Sequence, residues 1–118
     1  MNPSEKELII LHHKLFELSP IPMAITSTDG LIIDFNSAFC ELTGYTHSYL
    51  IGKKTIDLNI WSKKDREEIL EITELTGKIL NYRVTITSRM NIEKEIIFSI
   101  QRVDIDGRYF YVSTAQRI

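Results

Sequence analysis

The chain predicts an α+β domain, an antiparallel sheet with helices packed on one face, and three observations carry that prediction. Period-two patterns stand at both ends of the sequence, helical patterns fill its middle, and two Asp-Gly pairs, Asp29-Gly30 and Asp106-Gly107, punctuate neighbouring strands. Asp-Gly between apolar runs is a strong hairpin signal, and strands segregated from helices favour antiparallel pairing over βαβ units. At 118 residues the chain is long enough to enclose one core.

Residues 4–18 read as a helix whose Leu8, Leu11, Leu15 and Leu18 alternate spacings of three and four, with Ile9 and Phe16 widening the stripe. Such a stripe needs a partner, either the domain's own sheet or the same helix of a second subunit. Ser19-Pro20-Ile21-Pro22 stops the helix, since each proline lacks an N–H and biases its predecessor toward extended backbone. That stop divides the chain into a flanking helix, 1–19, and a core, 20–118. Met23 to Thr28 and Leu31 to Phe35 read as the first hairpin. Asn36 is placed to cap the next helix, on which Phe39 and Leu42 share a face, and Gly44 suits its left-handed end.

Thr55 to Leu58 suggests one helical turn and Asn59 to Trp61 a loop. Ser62 with Asp65 resembles a capping box, and KKDREEILEITELTG then carries Ile69, Leu70, Ile72 and Leu75 inward along a helix that stops near Gly77. Leu80, Tyr82, Val84 and Ile86 alternate with polar residues, as do Ile96, Phe98 and Ile100 after a loop at 88–91. Tyr109 to Ala115 closes the domain as a final strand.

Composition narrows the function. Fourteen basic and sixteen acidic residues are scattered with no basic stripe, which argues against nucleic-acid binding. No apolar run approaches the ~20 residues of a membrane span, and the opening MNPSEKEL lacks the apolar region of a signal peptide, so a cytoplasmic location is expected. No phosphate loop, paired-histidine metal motif or nucleophile elbow occurs. His12 and His13 are adjacent on a helix and point apart, and His47 follows the Gly44 turn as an exposed residue or a local cap. Cys40 is single and cannot form an internal disulfide.

Asp29-Gly30, Asn36, Ala38-Phe39, Leu42-Thr43-Gly44-Tyr45 and Leu50-Ile51-Gly52-Lys53, in that order and spacing, resemble the PAS domain of signalling proteins. The resemblance implies a five-stranded antiparallel sheet of order 2-1-5-4-3 whose middle helices enclose a pocket. It would line that pocket with Ile25, Phe35, Phe39, Ile56, Trp61, Ile69, Phe98 and Tyr111, although apolar residues at these periods also serve as plain core. It implies a sensory, non-enzymatic module of a histidine kinase or similar regulator, and the spacing of the first helix separately offers Leu8, Leu11, Leu15 and Leu18 as a candidate homodimer seam.

Two branches of the family carry chromophores, and the chain departs from both. The flavin-binding LOV branch needs a cysteine after the short helices, where this chain reads Leu58-Asn59-Ile60-Trp61-Ser62, and Cys40 lies a helix away in a packing position. Haem sensors use a histidine on the long middle helix, and residues 63–76 contain none. The cofactor, if any, stays open. At the other end, PAS domains often finish with Asp-Ile-Thr, whereas this chain ends Ala115-Gln116-Arg117-Ile118, with Arg117 in the place of the Asp. An output domain is expected in the same polypeptide, beyond Ile118.

Overall fold

The computed structural model describes residues 1–118, and its elements follow from the punctuation read above. Helix α1 spans Glu5–Leu18, started by a complete capping box in which Ser4 and Glu7 satisfy each other's backbone N–H groups. Strands β1 (Met23–Ser27) and β2 (Ile32–Phe35) form the first hairpin. Asn36 caps α2 (Ser37–Thr43), and Gly44 ends it at φ 78, a left-handed conformation that costs glycine nothing. A four-residue helix not foreseen in the sequence, α3 (His47–Leu50), follows and buries Leu50 completely.

A 3-10 turn, Thr55–Leu58, leads to α4 (Lys63–Thr76), the long middle helix. Half of its expected capping box forms, with the Ser62 hydroxyl accepting from the Asp65 N–H at 3.1 Å. Strands β3 (Lys78–Thr87), β4 (Glu93–Ile105) and β5 (Arg108–Arg117) complete the chain, each longer than its sequence pattern. The sheet is five-stranded, antiparallel and ordered β2-β1-β5-β4-β3, so the first strand pairs with the last.

Core and sheet divide cleanly. Ala24, Ile86, Ile96, Phe98, Tyr111 and Ala115 point from the inner face toward α2 and α4, and join Leu42, Leu58, Ile60 and Ile69 in one buried cluster. The outer face keeps apolar side chains partly exposed, including Val112 at 38%. Helix α1 leaves that face largely open, because none of its residues is buried.

Two expectations about core positions fail for local reasons. Leu75 was expected to face inward, yet it is 78% exposed, because α4 turns Ile69 and Thr73 to the sheet and Leu75 falls off that stripe. Leu80 was expected on the buried face of β3 but is 58% exposed. A bulge explains it: Ile79 pairs with Ile100 and Tyr82 with Phe98, so Leu80 and Asn81 together oppose Ser99. Asn81 takes the left-handed conformation at φ 57, and its N–H is satisfied by the Ser99 hydroxyl at 3.0 Å. Ile79 is buried in Leu80's stead.

Candidate functional site

Between α4 and the inner face of the sheet lies a cavity of about 270 Å³. It is near the lower end of the range of small-molecule sites and holds roughly nine water volumes. Its interior is apolar: Ile86, Ile96, Phe98 and Ile100 come from the sheet, Leu58 and Ile60 from the segment before α4, Ile69 and Leu70 from α4 itself. Exposed members of its lining, among them Thr28, Asp29 and Glu74, mark the opening, where the β1–β2 turn and the 3-10 turn face α4.

Each wall is set by local geometry. Trp61 packs edge-on to Phe98, with ring centroids 4.9 Å apart at 69°, an arrangement in which the positive ring edge meets the neighbour's negative face. Ile60 is tied to the sheet because its carbonyl accepts from the Thr87 N–H at 2.9 Å. The Thr73 hydroxyl donates back to the Ile69 carbonyl at 2.6 Å, which lets a fully buried threonine face the core without an unpaired polar group. Tyr45 lies outside the cavity, its hydroxyl donating to the Leu58 carbonyl at 2.6 Å and its ring stacked on Tyr49 at 5.1 Å.

Of the residues expected to line a pocket, Phe39, Trp61, Ile69, Phe98 and Tyr111 border this cavity. The other three do not. Ile25 sits on the outer face, since its neighbours Ala24 and Thr26 point inward and successive strand residues alternate. Phe35 is buried at 3%, but under α2 and α3, against Phe39 at 6.1 Å and the His47 ring at 4.8 Å. Ile56 is 54% exposed because the tight 3-10 turn presents Leu58 inward in its place. Lining residues that sequence reasoning passed over include Thr26, Thr55, Arg66 and Ser113. Only Arg66 left a trace, one helical turn before Leu70 on the buried side of α4.

The flanking helix is anchored at its last turn. Asn36, 1% exposed, makes every hydrogen bond its amide allows. Its Oδ1 accepts from the Met23 N–H at 3.0 Å and the Phe39 N–H at 3.1 Å, while Nδ2 donates to the Phe16 and Ile21 carbonyls, both at 2.9 Å. Leu8, Leu11, Leu15 and Leu18 meanwhile stand 41–80% exposed. Cys40, half-buried on α2, has its thiol pushed up by burial and then by the negative charge of Glu17, both of which disfavour the thiolate. No group of three or more His, Cys, Asp or Glu side chains is placed to hold a metal ion, and no helix is long and apolar enough to cross a membrane.

A family model described as PAS domain matches residues 11–81, more than half of the chain. The chain is a PAS domain. PAS domains are in general sensory, non-catalytic modules like those of histidine kinases and other regulators.

Solved structures agree with the fold across low sequence identity. A PAS domain from a two-component sensor histidine kinase superposes with a TM-score of 0.82 at 13% identity, covering 98% of this chain and all (100%) of that one. The PAS domain of an HTR-like protein from Haloarcula marismortui gives 0.69 at 22% identity, covering 97% of each chain. The PAS domain of a LuxR-family transcriptional regulator from Burkholderia thailandensis, solved in complex with ethanol, gives 0.73 at 16%, covering 91% of this chain and 96% of that one. No curated protein matches the chain.

Proposed function

We propose that this PAS domain is the ligand-sensing module of a larger cytoplasmic signalling protein, a histidine kinase or similar regulator, whose output domain lies elsewhere in the same polypeptide. The observation that carries this reading is the apolar cavity of about 270 Å³ with a polar opening, seated between the sheet and α4. The ethanol complex of the similar Burkholderia thailandensis domain supports a small organic occupant. A ligand acts by favouring one packing of the sheet and its flanking helices, so it must bind that packing more tightly than the other. The change leaves through α1 or through the end of β5.

Heating the purified chain against a metabolite library tests the reading. A true ligand at a hundred times its dissociation constant adds about 2.7 kcal/mol of stability and raises the melting temperature. Silence across the library removes the sensing role.

A second reading, a ligand-free dimerisation scaffold, is favoured by one observation, the exposed Leu8, Leu11, Leu15 and Leu18 stripe beside a half-open sheet face. Two such stripes packed together form a homodimer with coiled-coil geometry. Light scattering on the wild type and on Leu11→Glu/Leu15→Glu decides it. A dimer that becomes a monomer supports the interface, and a monomer in both sinks it.

A further inference from the structure

Resting on the ligand-sensing reading, the cavity's polar groups also specify what kind of molecule enters. Arg66 lines the cavity from the first turns of α4 and is half-buried. The ion pairs of the chain are His13–Glu17, Lys54–Asp29 and Lys63–Glu67, and Arg66 takes part in none of them. A guanidinium at the edge of an apolar cavity without a carboxylate partner is an unused, permanently charged fork suited to a planar anion.

Tyr111 supplies a second donor. It lines the same cavity at 5% exposure, and its hydroxyl, unlike that of Tyr45, has no hydrogen-bond partner in the chain. No sealed side-chain polar atom lacks a partner, so the Tyr111 hydroxyl keeps accessible surface, on a residue that borders the cavity.

The acidic groups of the lining do not neutralise this arrangement. Asp29 is engaged by the Ser27 hydroxyl and by Lys54 at 3.7 Å. The Ser27 bond, ahead of Lys54, holds the Asp29 carboxyl below its ordinary range. Glu74 lies eight residues along α4 from Arg66, about 12 Å at the helical rise, and is exposed.

We infer that the cavity takes a short amphipathic monocarboxylate, its hydrocarbon part among Ile86, Ile96 and Phe98 and its carboxylate held by the Arg66 guanidinium with the Tyr111 hydroxyl as a further donor. Lys at position 66 would keep the charge but lose the bidentate geometry.

Titration calorimetry of the 118-residue chain with hexanoate and with 1-hexanol separates charge recognition from simple filling. Hexanoate is expected to bind at least tenfold more tightly than hexanol. Arg66→Gln is expected to remove that preference by weakening hexanoate at least tenfold more than hexanol, with Arg66→Lys intermediate. Tyr111→Phe is expected to weaken hexanoate several-fold. Hexanol binding as tightly as hexanoate, or an Arg66→Gln variant that keeps the preference, overturns the carboxylate assignment and leaves the cavity reading standing. If neither compound binds, the assignment falls; if a panel of neutral apolar compounds also fails, the ligand-sensing reading falls with it.

Discussion

Asn36 ties together residues 13, 15 and 20 positions upstream of it, through Met23, Ile21 and Phe16, as well as capping its own helix. Its role as a cap was legible in the sequence, because capping is a local, three-residue relation. Its other three bonds were not, since nothing in a single sequence marks which distant carbonyl will approach an amide. Asn36→Ala removes all four and leaves buried donors and acceptors unpaired, at about 1–3 kcal/mol for each group that stays dry. Allowing for partial relaxation, the expected loss is about 3 kcal/mol, read as a lower urea midpoint with an unchanged slope. Phe39, which shares a helix face with the buried Leu42, is only half-buried and contributes less than its size suggests.

At the scale of elements, the two misplaced strand positions, Ile25 and Leu80, share a cause, which is parity. Strand side chains alternate, so one residue decides which face a position serves, and Ile25 was assigned to the wrong one. In β3 the alternation runs true from Tyr82 to Ile86 and breaks at the bulge, where Leu80 changes faces. The bulge depends on a left-handed residue at position 81, which asparagine tolerates and β-branched residues resist. Asn81→Val is therefore expected to cost about 1–2 kcal/mol and Asn81→Gly to be nearly neutral, both measured by thermal unfolding. Equal losses for the two would place the cost in the asparagine side chain instead. Ends set by side-chain or glycine caps, at Asn36, Gly44, Ser62 and Gly77, were read correctly because their chemistry is local.

For the molecule as a whole, the strand order, the helical layer and the place of a pocket were legible through the family resemblance, while the openness of that pocket was not. A void is the space left after distant walls meet, and the same apolar residues serve a filled core equally well. Filling it is therefore informative. Ala115 borders the cavity from β5 and is 7% exposed, so Ala115→Leu adds hydrocarbon where no atom now sits. This variant is expected to keep or raise the melting temperature and to lose any ligand-dependent shift. A fall of many degrees would mean that the wall is already close-packed there.

The radius of gyration is 14.8 Å, against about 13.5 Å for a compact chain of this length, because α1 projects from the core. Its fourteen residues make a rod about 21 Å long, fastened at one end by the Asn36 amide. Mechanically this is a lever on a short pivot: a tilt of about 10° at Phe16 sweeps Ser4, about 18 Å away along the helix, through roughly 3 Å. Sub-ångström repacking beneath α2 would thus arrive at Ser4 as a displacement large enough to change what the helix can touch.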